Sequence, residues 1–463
     1  MKDMEITVNG RKLLTERGVL LSDVIGIEKP CGGHGSCGKC KVIVDGSEEL
    51  ACRYVVTSPI KVEFKEKENI ESVTGVGESG RRTERMCLVL DIGTTTLALA
   101  LVSLDDKRAV RVITATNPQR AFGADVITRI EYCSKNSVDA LKAPLVSEIN
   151  RMIAEIGAEG IETMYVSANT TMLHTFFGVD CSSIGVAPYT PVFLEGRREQ
   201  AESLGLHGVS KVISLPSVSS FVGADIVAGL NCVEMPEKGK YSLLVDLGTN
   251  AEVVLYSSES ALATAAAAGP CFEGANIKCG MSATPGAIYA FEIKNGRAAY
   301  KTIADEKAVG ICGTGLIDII SALLESGDID ETGYMEEDYA LADGVYLSCE
   351  DVRQYQLAKS AVYSAILSLM RTEGVSADDI SKMYVSGGFS AHINLSNAVK
   401  SGLLPAELED RAEFLNNSSL LGTIKYACGD SNVDQLVRNT RYVDLSSNAY
   451  FTDLFIRNMM FDV

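Results

Sequence analysis

The 463-residue chain contains no run of about 18 consecutive apolar residues, which excludes a helical membrane span. Its opening, Met1-Lys2-Asp3-Met4-Glu5, lacks the apolar stretch that a secretory signal needs. Proline is scarce at 11 residues, while 46% of residues are hydrophobic, and together these argue for globular structure throughout. Basic residues are in deficit: 42 Lys and Arg against 61 Asp and Glu leave a formal charge of −19. Such a surface disfavours nucleic acid or an anionic membrane as partner. Thirteen cysteines, an odd number without a signal segment, fit a reducing cytoplasm and not a disulfide scaffold. The length is enough for about three domains.

What is present, twice, is an apolar run ending in Asp-x-Gly-Thr. The first copy is Leu88-Val89-Leu90-Asp91-Ile92-Gly93-Thr94-Thr95-Thr96, and the second is Leu243-Leu244-Val245-Asp246-Leu247-Gly248-Thr249-Asn250. Each turns through Gly-Thr and resumes as a β-rich run (97–102 and 253–256), which predicts two β-hairpins with an acid at the bend. The glycine permits a tight turn whose N–H groups and hydroxyls can converge on a phosphate. Gly93, Thr94, Thr95, Gly248, Thr249 and Asn250 are therefore candidate phosphate-binding residues. Asp91 and Asp246 would hold Mg²⁺, through water because that ion sheds its hydration reluctantly. One copy alone would pass as ordinary turn chemistry. Two copies with matched flanks point to a clamp closing on a polyphosphate from both sides.

Residues 1–65 read as a compact unit of their own. Glu5-Ile6-Thr7-Val8-Asn9-Gly10 predicts a strand and turn, 19–26 a short helix closed by Gly26, and 41–44 and 59–64 further strands. Between them lies Cys31-Gly32-Gly33-His34-Gly35-Ser36-Cys37-Gly38-Lys39-Cys40, followed by Cys52. Three of these cysteines are spaced by five and then two residues, a metal-ligand pattern. The intervening glycines permit a loop that wraps a cluster and points N–H groups at its sulfurs. Zinc is the other reading, although a four-cysteine zinc site usually pairs two Cys-x-x-Cys knuckles and only one exists here. His34 reads as a surface residue or, as in Rieske centres, a ligand. The remaining nine cysteines show no ligand spacing and read as buried small residues. Residues 66–86 are polar, with Gly75, Gly77 and Gly80, and read as a flexible tether.

From residue 87 onward strands and helices alternate. Asn117-Pro118-Gln119 precedes Gly123-Ala124-Asp125-Val126, which opens a helix; an amphipathic helix is expected over 145–156 and a strand over 163–168. That strand ends at Asn169 and Thr170, which are candidate site residues, since ligands gather at strand ends of open α/β sheets, or plain helix caps. Asp225 follows Gly223 at a helix start. It can orient water attacking a γ-phosphate, or it can be a simple dipole-favoured acid. Gly269-Pro270-Cys271-Phe272-Glu273-Gly274 is a glycine-rich turn carrying one acid. Gly313-Thr314-Gly315 begins a helix that offers bare N–H groups to a nucleotide. Gly387 and Gly388, at the end of a strand over 382–385, form either an adenosine platform or an ordinary turn.

Taken in order, Asp91-Ile92-Gly93-Thr94-Thr95, Gly223-Ala224-Asp225, Asp246-Leu247-Gly248-Thr249-Asn250, Gly310-Ile311-Cys312-Gly313-Thr314-Gly315 and Ser386-Gly387-Gly388-Phe389 resemble the actin, sugar-kinase and heat-shock-ATPase superfamily. The resemblance implies an α/β fold of two ribonuclease-H-like lobes, 87–238 and 239–463, closing over Mg·ATP. The cysteine loop resembles a β-grasp ferredoxin domain of the plant or adrenodoxin type. That implies a 2Fe-2S cluster on Cys31, Cys37, Cys40 and Cys52, with Cys52 the least secure ligand because only eleven residues separate it from Cys40.

The combination is similar to the ATP-dependent reductive activators of corrinoid proteins. Asn117-Pro118-Gln119, residues 169–174, Pro188-Tyr189-Thr190-Pro191 and residues 268–275 carry that likeness further along the chain. It implies an ATP hydrolase coupled to one-electron transfer, with Asp225, Asp91 and Asp246 in catalysis. The acceptor would be a corrinoid protein taken from Co(II) to Co(I) in anaerobic methyl-transfer metabolism. The donor would be an upstream ferredoxin or other low-potential reductant, and a homodimer is an open assembly. Typical members have a middle domain between ferredoxin and ATPase, and this short chain is expected to lack it. Three other readings remain: an ATP-driven donor to another low-potential metalloenzyme, a small-molecule kinase with Asp225 as base, and an electron carrier fused to a degenerate nucleotide fold.

Overall fold

The computed structural model describes residues 4–25, 27, 40–64, 76–157, 160–388, 392–431 and 433–461. In the N-terminal unit, strands Met4–Val8 and Arg11–Thr15 form one hairpin and Lys41–Val44 and Ser47–Leu50 another. Strand Lys61–Glu63 inserts between the two, parallel to the first strand and antiparallel to Lys41–Val44, which is the β-grasp order. Alternation places Val42 and Val44 inward and Lys41 and Ile43 outward. The inward residues pack with Ile6, Val8, Leu21, Val56, Ile60 and Val62.

Two six-stranded sheets follow, and they share a plan. In the first, the central strand Met86–Ile92 pairs antiparallel with Thr96–Ser103, which pairs antiparallel with Arg108–Thr116. On its other side Met86–Ile92 pairs parallel with Ile161–Ala168, and that strand pairs parallel with Val209–Ser214. In the second sheet Tyr241–Leu247 takes the central place, flanked by the hairpin strands Ala251–Tyr256 and Ala261–Ala266. Its parallel neighbours are Ile380–Ser386 and then Ala412–Phe414. The Asp-x-Gly-Thr stretch is thus the first hairpin of each lobe, as its repeat predicts. Equivalent register places Asp91 beside Ser167 and Asp246 beside Ser386 on the parallel neighbours.

One helix extends well past its expected limits. The helix expected over 145–156 runs Val138–Ile156, capped by Ser137 and continuing through Pro144. The long helix of the second lobe is Cys349–Glu373, and its start is fixed by a capping box between Ser348 and Asp351. Part of the expected tether is not free. Gly80 N donates to Ala109 O at 2.9 Å and Val112 N to Glu78 Oε1 at 2.7 Å, which lays residues 78–80 along the edge of the first sheet. Residues 65–75 lie outside the described residues.

Two helices cross between the lobes. Ala224–Cys232 follows the first sheet in sequence, yet its Ile226 and Leu230 pack on Leu244, Val254 and Tyr384 of the second. Ser418–Ala427 follows the second sheet, and its Leu420 and Ile424 pack on Val89, Ala98 and Ala100 of the first. The pair meets backbone to backbone at Gly422, where a Cβ would sit 1.7 Å from the Ala228 carbonyl oxygen. Asn231 Nδ2 donates to the Gly422 carbonyl at 2.8 Å, which locks the crossing. Gly422→Ala should therefore lower stability by at least about 1–3 kcal/mol through overpacking. Thermal unfolding monitored by circular dichroism checks this, and an unchanged midpoint would mean that the helices can separate freely.

Candidate functional site

The two hairpin turns face one another across a cavity of about 260 Å³. Asp91, Gly93, Thr94, Thr95, Asp225, Asp246, Gly248, Thr249, Asn250, Gly387 and Gly388 all line it, as do Asn169 and Glu252. Eleven of the ATP-site positions expected from sequence thus converge from distant parts of the chain. Gly313, Thr314 and Gly315 do not line it. Their glycines serve packing instead: a Cβ on Gly313 would lie 2.2 Å from the Phe272 carbonyl oxygen, and one on Gly315 would lie 2.1 Å from that of Ile288. Thr314 Oγ1 is turned to the Tyr289 carbonyl at 3.0 Å.

The first turn is pinned by side chains. Asn117 Nδ2 donates to Gly93 O at 2.8 Å, and Asn117 N donates to Thr95 O at 2.9 Å. Asn169, which caps helix Thr170–Phe177, donates from Nδ2 to Thr94 Oγ1 at 3.1 Å. Arg129 donates from Nη2 to Thr94 O at 2.6 Å and from Nε to Gly123 O at 2.9 Å. Burial, and then repulsion from Arg120, draw the Arg129 pKa down to about 9. The motifs around Asn117, Gly123 and Asn169 therefore shape the turn from behind. The second turn is tied differently: Thr249 Oγ1 donates to Glu273 Oε2 at 3.0 Å, and the same oxygen accepts from Thr95 Oγ1 at 3.2 Å.

The residues that sequence reasoning missed are Asn417, Ser418 and Ser419 at the start of the second crossing helix. Asn417 Nδ2 and Ser419 Oγ each donate to Asp91 at 2.8 Å, and Ser419 Oγ also reaches Ser167 Oγ at 2.9 Å. Ser418 Oγ lies 2.6 Å from Ser386 Oγ, which donates to Asp246 Oδ2 at 3.0 Å. Consecutive serines thus serve opposite lobes. The signal available in sequence was a run of helix-capping residues, Asn416-Asn417-Ser418-Ser419. Glu252 was also missed. It sits opposite Asp246 in the hairpin register, where cross-strand neighbours share a face.

Five carboxylates line this space: Asp91, Asp225, Asp246, Glu252 and Glu273. Burial, then repulsion from Asp246 and Asp91, push Asp225 up to about 7. Asp246 is pushed up to about 6, chiefly by burial, with the Ser386 hydroxyl opposing. Glu252 is driven well above its ordinary value by burial and by Asp225 and Asp246. Asp91 is raised by burial against the hydrogen bonds from Asn417, Ser419 and Ser167.

In the N-terminal unit, Cys40 and Cys52 are buried with their sulfurs 3.1 Å apart. The short Cys40–Cys52 segment is the hairpin Lys41–Leu50, which folds back and returns Cys52 to its partner. A disulfide is excluded, because bonded sulfurs lie near 2.05 Å. Cys31, Cys37 and His34 lie outside the described residues, as does Phe389. Among the described residues no helix is long and apolar enough to cross a membrane.

Two lobes of one sheet plan, each offering an acidic hairpin to a shared cavity and joined by crossing helices, define an actin-like ATPase fold. Comparison with known proteins agrees. The family model described as the C-terminal domain of RACo, the ASKHA domain, matches residues 240–463, and that of the RACo middle region matches residues 86–238. The chain belongs to the RACo family. The region that the family model calls the middle one falls on the first lobe. The chain is 26% identical over 419 residues to the corrinoid activation enzyme RamQ of Eubacterium limosum, covering 81% of this chain and 70% of the relative. It is 25% identical over 371 residues to a [Co(II) methylated amine-specific corrinoid protein] reductase of Methanosarcina barkeri, covering 72% and 68%. A solved reductive activator for a corrinoid, iron-sulfur protein shares the fold, with a TM-score of 0.73 at 23% identity over 99% of this chain and 98% of that one.

The raised acids make a pH prediction. Asp225 and Asp246 titrate near 7 and 6 when folded and near 3.9 when unfolded. The folded state therefore binds more protons between about pH 4 and 7, and stability falls as pH rises through that window. Asp225→Asn should make that decline shallower in melting curves recorded from pH 4.5 to 7.5. An unaltered slope would show that Asp225 ionises as an exposed carboxylate does.

Proposed function

We propose that the protein is an ATP-driven one-electron donor that returns a corrinoid protein from Co(II) to Co(I). The observation that carries this reading is the union in one chain of two features. One is a two-lobed cavity ringed by carboxylates; the other is a β-grasp domain with two buried thiols 3.1 Å apart. The names of the relatives from Eubacterium limosum and Methanosarcina barkeri support the choice of acceptor.

The cavity has Asp91, Asp225, Asp246, Glu252 and Glu273 in its lining and, among the described residues, no Lys or Arg. Among the described residues no three of these acids are placed to hold a metal directly, so a hard divalent cation would be held through its own waters. Asp91 and Asp246 would hold Mg²⁺ through water, and the turns at 93–95 and 248–250 would hold the phosphates. Gly387 and Gly388 would flank the adenosine. Bound Mg·ATP supplies charge neutralisation at the transferred phosphoryl group and the free energy of the nucleotide cycle. Asp225 lines the same cavity, where a carboxylate can accept a proton from the attacking water.

Cys40 and Cys52 fit as two ligands of a 2Fe-2S cluster, with Cys31 and Cys37 completing the set. Such a cluster supplies single electrons near roughly −400 mV. Reaching Co(I) is harder, and each ~59 mV costs about 1.4 kcal/mol. A gap of a few hundred millivolts therefore asks for roughly 5–8 kcal/mol, within reach of differential binding between open and closed lobes. In this reading residues 1–65 are the electron carrier, 87–238 and 239–463 are the lobes, and an upstream ferredoxin or other low-potential reductant feeds the cluster in the cytoplasm. A small-molecule kinase is disfavoured because phosphoryl transfer has no use for an electron carrier in residues 1–65.

Anaerobic incubation with reductant, ATP and a Co(II) corrinoid protein should convert the Co(II) absorption spectrum to that of Co(I). Asp246→Ala should abolish both ATP turnover and Co(I) formation. Cys52→Ala should hydrolyse ATP yet yield no Co(I); activation by that variant at the full rate would sink the electron route.

A further inference from the structure

Glu273 stands between the two phosphate turns. It ends the single helical turn Pro270–Glu273, set between Gly269 and Gly274, whose φ angles are +79° and +78°. One of its oxygens, Oε2, accepts from Thr95 Oγ1 at 3.2 Å and from Thr249 Oγ1 at 3.0 Å. The first hydroxyl belongs to one lobe and the second to the other. A carboxylate oxygen thus already occupies the point on which the hydroxyls of both turns converge. Its backbone is rigidly backed. Helix Gly313–Ser326 abuts the Phe272 carbonyl where Gly313 has no Cβ, and a Cβ on Gly274 would lie 2.5 Å from Met281 N. Cys271 and Phe272 are buried. Only the side-chain torsions of Glu273 are left to move.

We propose that Glu273 is a built-in stand-in for the nucleotide phosphate. With no nucleotide between the lobes, its carboxylate draws Thr95 and Thr249 together. An incoming phosphate competes for the same two hydroxyls, repels the like charge, and turns Glu273 out. Because hydrogen bonds to a charged acceptor are the stronger ones, the apparent nucleotide affinity is held below what the turns alone would give. Exchange of carboxylate for phosphate also ties nucleotide entry to the spacing of the lobes. The inference rests on the reading of the turns as a phosphate site.

The test uses the full chain and its Glu273→Ala and Glu273→Gln variants, titrated calorimetrically with a non-hydrolysable Mg·ATP analogue. Glu273→Ala should bind roughly tenfold tighter than the wild type, the equivalent of one charge-assisted hydrogen bond. Glu273→Gln keeps an acceptor but loses the charge, so it should show a smaller gain; being isosteric, it decides the matter if the alanine variant does not fold. Small-angle scattering of nucleotide-free Glu273→Ala should show a larger radius of gyration than the wild type, a change that repacking behind the turn would not produce. Wild-type binding with equal or weaker binding by the folded variants overturns the stand-in and leaves the phosphate site intact. Binding by none of the proteins overturns both.

Discussion

The backbone contact between helices Ala224–Cys232 and Ser418–Ala427 is the constraint on which the rest of the structure depends. Each helix covers part of the other lobe's sheet, so neither sheet completes its core without the partner lobe. The crossing also sets the site, because both helices begin at the cavity wall. Asp225 stands in the first turn of one, and Asn417, Ser418 and Ser419 stand at the start of the other. Their partial positive ends therefore face the same space. Shift the crossing, and Asp91 loses Asn417 and Ser419, while Ser386, the partner of Asp246, loses Ser418.

The two turns are alike in sequence and unlike in support. The first is held by Asn117, Arg129 and Asn169, all from its own lobe. Arg129 is fully buried and spends its donors on the Gly123 and Thr94 carbonyls and on the side chains of Gln119 and Met172, which makes it a strut behind the turn and not a hand extended into the cavity. The second turn is tied through Glu273 to the first. The first turn thus has supports within its own lobe as well as the shared carboxylate.

The sequence made the hairpins legible because their chemistry is local: an acid, a glycine and a hydroxyl within a few residues define a turn. It also made legible that Asn169 would cap a helix at a strand end, and the structure adds that the same side chain steadies Thr94. The partner of Asp91, in contrast, lies 326 residues away at Asn417. Nothing near Asn417 states that its helix will cross under the other lobe. Gly313-Thr314-Gly315 shows the opposite failure. The pattern suits an anion-binding helix start, but its glycines answer to the carbonyls of Phe272 and Ile288. Helix limits slipped for a plainer reason: Pro144 reads as a boundary, while Ser137 supplies the cap that lets the helix begin a full turn and more before it.

Ser418 and Ser419 are adjacent on one helix, about 100° apart around its axis, and they touch opposite lobes. A helix so placed behaves as a camshaft. A roll about its long axis would move both serines at once, so a displacement at one acidic hairpin would reach the other. Motion at one jaw is converted directly into slack or strain at the other, by a part only one residue wide.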